Sequence, residues 1–567
     1  MCLLEREADL VEFDTIIVGG GAAGCVLANR LSRRPTNRVL LIEAGRDVVA
    51  GEEPADILSP YPLSYYNPDY KWTTIKGHWR TAGTSPEGFI EQGRVLGGSS
   101  SIMGMIALRG VPHDYDRWER AGATGWGWAD VLPYFRKLES DHDFGGPLHG
   151  NDGPVAITRN PQASWPPLAR ASRDLALRSG LQHVDDANAD FRDGSFTIPV
   201  AANAVARSSS VTCYLTREVR ARPNLSIVTD TSVERLLFDG RRVTGVAARG
   251  PAGAKDYRGR NVIVTAGALQ SPALLLRSGI GPASHLRDVG VDVQADLPGV
   301  GQGLQNHAAL YVGALLNRAG HASRTNLNHN NVGFRSSSGI TDMPLDMMTV
   351  IQNRSAWHAL GLRVMGMSTI LHKPVARGTI TLSPRDGHLV SLIEFNLLGD
   401  PADLERMVDG FKSAVQLLNA PEIKPLLRFA FPVSRADRLR RLNVRSRWNA
   451  IATRVAATGL DIAPFLAPAL FSRLIAGPLE LESLATTPDR LRDYVLRNVS
   501  GLAHHTSTCR MGAPDDPSAV VTPDGAVRGL QGLHVADASV MPEVPSGNTF
   551  LPTIMVAEKI AAGMPGS

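Results

Sequence analysis

Cysteine is scarce in this chain. The four residues, Cys2, Cys25, Cys213 and Cys509, are scattered with no CxxC pair, which supports neither a disulfide framework nor a zinc site and fits a reducing compartment best. An excess of one charge is missing as well: 59 basic residues against 55 acidic ones leave +4, too balanced to argue for a nucleic-acid partner. No apolar run is long enough to span a bilayer. The nearest approach, "LDIAPFLAPALFSRLIAGPL", is broken by Pro464, Pro468 and Arg473. The amino-terminal "MCLLEREADLVEFD" carries acids where a signal peptide has a basic region and an apolar core. A near-neutral, cytoplasmic protein is the expectation.

What is present is length and apolar content. With 567 residues, 43% hydrophobic, 55 glycines and 37 prolines, the chain can bury one large core or two intimately joined domains linked by many turns. Near its start, the β-branched run "FDTIIV" is followed by "GGGAAG", a helix-like stretch from Cys25 to Leu31, and a second apolar run, "RVLLIEAG", carrying Glu43. This is the strand, glycine turn, helix, strand, acid order of a dinucleotide site. Gly19 makes the tight turn, Gly21 lets the backbone approach a pyrophosphate, Gly24 permits close helix packing, and Glu43 can accept from a ribose hydroxyl.

Further along, "GRVLGGSSS" (Arg94, Gly97, Gly98, Ser99, Ser100) is a loop rich in backbone amides and hydroxyls, suited to cradling a pyrophosphate. "VIVTAGALQSPALLL" offers another strand, turn and helix, and "LSIVTD", "VERLLFD" and "RVTGVAA" predict a β-rich middle. From about Leu310 to Leu398 strand-like runs alternate with loops, and "ADLERMVDGFKSAVQLL" has helical spacing. The stretch 435–473 holds Arg435, Arg438, Arg440, Arg441, Arg445, Arg447, Arg454 and Arg473 against few acids. A solvated helix packed on the protein is the plainer expectation there; peripheral contact with an anionic membrane face is the alternative. At the end, "LHVADAS" reads as a strand with Asp537 at its exit. Pro552 suits the first turn of a helix whose amino terminus closely follows Asn548 and Thr549.

Together the "GGGAAG" to Glu43 unit, "GRVLGGSSSIMG", "GALQSPALLLRSGIG", and the paired "HHTSTCRMG" and "VADASVMPEVPSGNTFLPTIMVAEKIA" resemble the glucose-methanol-choline (GMC) family of FAD-dependent oxidoreductases. The resemblance implies an α/β fold mixed with α+β: a Rossmann-like FAD-binding domain from 1–160, 200–310 and 498–567, and a substrate-binding domain from 161–199 and 311–497. The latter is expected on a mostly antiparallel sheet with helices, the basic insertion lying at about 435–473. It further implies FAD along the glycine loops, with Val233 near the adenine and Asp537 near the ribityl chain. Counting four residues back from Thr508, it makes His504 the catalytic histidine and Asn548 its partner. His505 falls where the family often has proline or a small residue. Ile102 occupies the position of the flavin-linked histidine of covalent members, so the FAD is expected to be noncovalent. Met103, Gly303 and Asn306 also depart from the family pattern.

The chemistry suits these residue types. Hydride leaves an alcohol carbon for flavin only as the hydroxyl proton leaves too, and a histidine is a suitable base near neutral pH. Segments such as "PLHGNDGP" and "FNLLGDPADL" resemble the bacterial branch of 5-hydroxymethylfurfural and aryl-alcohol oxidases, which implies a primary aromatic or furanic alcohol, with oxygen or a quinone-type acceptor. The alternatives within the same fold are an FAD-containing lyase, a fatty-acid photodecarboxylase (disfavoured by the intact His504 and Asn548 pair), a quinone-linked dehydrogenase of aliphatic alcohols, and a noncatalytic FAD-binding protein.

Overall fold

A computed structural model describes residues 12–322, 329–433, 441–475 and 481–564. Cys2, the amino-terminal stretch to residue 11, and Arg435, Arg438 and Arg440 lie outside the described residues.

The glycine-bearing unit folds as its pattern predicts: β1 (Phe13–Val18), α1 (Ala22–Leu31) and β2 (Val39–Ile42). β1 lies between β2 and the strand Gly253–Val264, parallel to both. Leu225–Val228 extends the sheet beyond β2, and Leu533–Val535 pairs with Gly253–Val264, again in parallel. Registers align Val18 with Ile42 and Val264, Val228 with Ile42, and Val535 with Val264. The carboxyl ends of five strands therefore form one edge, where ligands of such sheets bind. Both faces of the parallel part are covered, which is why β2 reads as an unbroken apolar run, buried throughout.

The strand ending in Val264 begins at Gly253, well before the apolar "NVIV" that announces it. Its first half leaves the parallel sheet and pairs antiparallel with Arg242–Gly250, which pairs with Ser232–Asp239. That half is largely exposed, so its charges hide the strand from a reading by apolarity.

α1 is buried along nearly its whole length and packs on the last helix, Phe550–Gly563. The two are tied by Arg30, whose Nε donates to both carboxylate oxygens of the fully buried Glu558 at 3.0 and 2.9 Å. Tyr214 and Lys137 complete the carboxylate's partners. Breaking such a pair leaves a buried charge and costs about 3–5 kcal/mol.

A second sheet runs Leu427–Pro432, Ala308–Leu316, Val364–Leu371, Met347–Gln352, Asn330–Ser336, Gly194–Thr197, His183–Val184, antiparallel except for the last pair. The helix Pro401–Asn419 packs on it with Met407, Val408, Phe411, Ala414, Val415 and Leu418 buried, the spacing of one helical face. Asp400 caps this helix by accepting from the Ala402 amide at 2.8 Å. A smaller sheet, containing Gly378–Arg385, His388–Glu394 and Lys76–His78, contributes side chains to the cavity described below.

The basic stretch forms a helix, Arg447–Ile462, capped by Ser446, then a turn at Pro464–Leu466 and a helix Ala467–Ile475. Thr453, Ala457, Leu460, Ala467 and Phe471 are buried, and Leu460, Ala467 and Phe471 pack with Leu315, Leu360, Val364 and Phe431. No single helix among the described residues is long and apolar enough to cross a membrane.

Candidate active site

The strand edge opens into a cavity of about 810 Å³ lined by Gly19, Gly21, Glu43, Gly98, Ser99, Ser100, Val233, His504, Asp537, Asn548 and Thr549. Eleven of the residues singled out from sequence thus meet in one place. Gly19 has φ +106°, and a Cβ there would lie 2.7 Å from the Thr265 carbonyl oxygen. Gly24 is not in the lining; a Cβ on it would lie 2.0 Å from the Gly19 carbonyl oxygen, so it lets α1 pack against the turn. Glu43 accepts from the amides of Gly20 and Gly45, both at 2.8 Å. Burial pushes its carboxyl up to about 7 despite these two donors.

Asp537 closes the opposite wall. One oxygen accepts from the Gly267 amide at 2.8 Å and the Ser271 hydroxyl at 2.6 Å, the other from the Ser539 amide at 2.8 Å. It therefore clamps the second strand, turn and helix to the carboxyl-terminal loop. Gly97 lies beneath the lining, and Ile102 is fully buried in the core while Met103 reaches the cavity. Arg94 stands apart from the other residues of its loop. Its side chain is exposed, donates to the Ala44 carbonyl at 3.1 Å and lies over the Trp72 ring, and it does not line the cavity.

The cavity fits a flavin dinucleotide in three respects. The start of α1, with its unpaired amides, faces it; the glycines leave its floor bare of side chains; and buried polar atoms without partners among the described residues surround it. These are Gln92 Oε1, Asn548 Oδ1, and Nε and Nη2 of Arg207. Arg207 is 3% exposed, with Nη1 donating to the carbonyls of Ser100 and Met103. Sequence reading missed it, since a lone arginine between loops carries no pattern.

His504 stands at the inner end, one nitrogen towards each of two partners. Nδ1 lies 2.9 Å from His307 Nδ1, and Nε2 lies 3.1 Å from Asn548 Nδ2. His307 Nε2 is 3.0 Å from the Pro545 carbonyl oxygen, which can only accept. His307 is fully buried and its pKa is held well below the ordinary value, first by desolvation and then by the neighbouring His372 and His504, so it is neutral. Its one proton must be on Nε2, and its Nδ1 must accept. His504 then donates from Nδ1, leaving the Nε2 lone pair facing the Asn548 amide. The chain of donors sets the tautomer a base requires. Desolvation also lowers His504 to about 4. Asn306 accepts from the His504 amide at 3.2 Å, giving a use to one residue that departs from the family pattern. His307 follows it directly and was not singled out, because only the fold brings it to His504.

His505 differs from its neighbour. It makes no hydrogen bond to any described residue, its Nε2 is buried, and its ring packs against Phe395 at 5.2 Å. It lines both the main cavity and an adjoining one of about 190 Å³ whose walls include Tyr65, Trp79, Glu91, Tyr311, Leu502 and Ala503.

The parallel-sheet edge and the cavity suit a dinucleotide, and the family to which the chain is matched makes it an FAD-dependent oxidoreductase that acts on alcohols. Profiles of the GMC oxidoreductase family match residues 13–309 and 374–557, and the chain belongs to that family. It is 39% identical to the 5-(hydroxymethyl)furfural oxidase of Methylovorus sp. (strain MP688), over 97% of this chain and 98% of that one. It is 30% identical to the oxygen-dependent choline dehydrogenase of Sinorhizobium fredii (strain NBRC 101917 / NGR234), over 97% and 95%. Among solved structures, the pyridoxine 4-oxidase of Mesorbium loti superposes with a TM-score of 0.78 at 26% identity, covering 97% and 98% of the two chains.

Proposed function

We propose that this chain oxidises a primary alcohol on an aromatic or furan ring to the aldehyde, with His504 as base, Asn548 as its partner and FAD held noncovalently. The observation that carries the reading is the chain from the Pro545 carbonyl through His307 and His504 to Asn548. FAD in the cavity supplies the acceptor for the hydride of the carbinol carbon. The alcohol hydroxyl takes the place of the Asn548 amide on the single lone pair of His504 Nε2, donating to it, and its oxygen accepts from the displaced Asn548 amide. As the C–H electron pair departs, the hydroxyl proton passes to Nε2, and the oxygen is left as the aldehyde carbonyl. The neutral, buried imidazole is ready to take that proton at any pH well above 4.

Gly19, Gly21 and the start of α1 would hold the pyrophosphate, Glu43 a ribose hydroxyl, Val233 the adenine side, and Gly98, Ser99, Ser100, Asp537 and Thr549 the flavin end. Noncovalent binding is supported by Ile102, which is apolar and enclosed in the core. The two sheets support a division into two domains, although the strand Ala308–Leu316 of the second sheet runs across the boundary expected at 310. The furan substrate and oxygen as acceptor are supported by the names of the relatives at 39% and 30% identity. His505, with its unused nitrogens between the two cavities, would offer a hydrogen bond to a second polar group on the ring.

Anaerobic mixing with furanic and benzylic alcohols should bleach the flavin, and admitted oxygen should restore its colour. In His504→Ala the bleaching rate should fall by about 10²–10⁴. Bleaching at the wild-type rate would refute the assignment. Denaturation should release FAD into the supernatant; colour retained on the precipitated chain would refute noncovalent binding.

A further inference from the structure

The helix Arg447–Ile462 and the turn after it carry an apolar surface that the protein leaves uncovered. Trp448 is 80% exposed, Ile462 79% and Phe465 78%, and Ile451, Val455 and Leu466 are each more than half exposed. Positions 448, 451, 455 and 462 recur at helical spacing and form one stripe, opposite the buried Thr453, Ala457 and Leu460. Scattered single exposed apolar residues are ordinary; a contiguous stripe with two aromatic side chains marks an interaction surface.

Its charge says what the partner is. Residues 441–473 contain five arginines and one acid, Asp461, which Arg363 engages. Arg441, Arg447 and Arg454 are exposed and form no ion pair with a described residue. Arg447 and Arg454, seven positions apart, run along the border of the stripe. An exposed apolar stripe with Trp and Phe, bordered by arginines, matches the chemistry of an anionic bilayer surface: rings at the level of the headgroups, guanidiniums on the phosphates. A second copy of this chain fits less well, because a two-fold contact opposes the same patch and would set arginines against arginines. The helices bend by 116° at the break, and the face opposite the stripe packs on the protein, which suits an element lying on a surface.

We propose that this bent helical pair docks the enzyme on an anionic membrane surface through Trp448, Ile451, Val455, Ile462, Phe465 and Leu466, with Arg441, Arg447 and Arg454 as the electrostatic component. The chain leading into this surface is tied to the segment that forms one wall of the smaller cavity. The Arg445 amide donates to the Tyr66 carbonyl at 3.1 Å and its guanidinium to Asp56 at 3.2 Å, while Tyr65 lines the smaller cavity.

The test is flotation of the full-length holoenzyme with vesicles of phosphatidylcholine alone or containing phosphatidylglycerol. The expected result is cofloating with the anionic vesicles only, weakened by salt. It should fall at least about tenfold both in Trp448→Ser/Ile462→Ser/Phe465→Ser and, separately, in Arg447→Glu/Arg454→Glu, with flavin content and turnover of a soluble alcohol retained. Three outcomes overturn the proposal: no flotation of the wild-type enzyme, flotation unchanged in both variants, or a wild-type dimer that the serine variant dissociates while neither protein floats.

Discussion

At the scale of single residues, His307 is a positioning residue whose effect can be separated from that of the base. Replacing it with alanine removes the acceptor of the His504 Nδ1 proton, so the imidazole loses its fixed tautomer. We expect kcat to fall roughly tenfold to a hundredfold with little change in KM, short of the roughly 10²–10⁴ attributable to the base. His307→Asn, whose Oδ1 lies about where Nδ1 was, should recover much of the loss. Stopped-flow flavin reduction across pH supplies the second readout. In the native enzyme the acid limb should appear as pH approaches about 4, since an unprotonated His504 is required. A limb near the ordinary histidine value would contradict the role of burial. An alanine variant that left both rate and limb unchanged would remove His307 from the site.

At the scale of elements, α1 and its turn were readable because the chemistry of a tight turn leaves few residue choices. A Cβ at Gly24 would collide with the Gly19 carbonyl oxygen, so Gly24→Ala must push α1 off the sheet. Overpacking of this kind typically costs about 1–3 kcal/mol. We expect a lowered thermal midpoint and a purified protein depleted in flavin; full flavin content at an unchanged midpoint would refute the close-packing role. The helix Pro401–Asn419 was equally legible, since its buried positions follow the helical period. Strands were legible where apolar residues run together or alternate, as in β1, β2, Leu225–Val228, Ser232–Asp239 and Arg242–Gly250. Gly253–Val264 was seen by its apolar half alone, and of the second sheet only the stretch from about Leu310 to Leu398 was visible, as strand-like runs, because pairings between distant segments leave no mark in local pattern. In the site, His504, Asn548 and the glycines could be found by motif, whereas His307 and Arg207 could not, being defined by what stands beside them in space. Arg94 shows the converse, a residue inside a motif whose side chain points away.

At the scale of the whole molecule, the buried histidines shape the dependence of stability on pH. Burial holds His504 at about 4 and His329, His372 and His505 at about 3, with His307 also well below its ordinary value. Between those values and 6.5 the unfolded chain binds more protons than the native one, so their contribution is present above pH 6.5 and is lost as pH falls towards 4. Each titrating group contributes up to about 1.4 kcal/mol per pH unit. Glu43, raised to about 7, and His149, raised to about 10 against desolvation by its bonds to Asp141, Asp186 and Glu139, act in the opposite direction, but the five depressed histidines outnumber them. The thermal midpoint should therefore drop from pH 7.5 to pH 5.5, as followed by calorimetry or flavin fluorescence; a midpoint that rose would contradict neutral burial of these rings.

The bond between Arg30 and Glu558 joins positions 528 apart, and this sets an order of events during synthesis. The ribosome delivers the glycine turn well before His504, Asp537, Asn548 and the helix that covers one face of α1. Until residue 558 has emerged, the newly made α1 lacks that covering helix and Arg30 lacks its carboxylate. Domains generally fold as units as they emerge, but this one is completed only when Glu558 is in place. Loading of flavin must wait for that moment, and the nascent chain depends until then on whatever shields its exposed apolar surface in the cell.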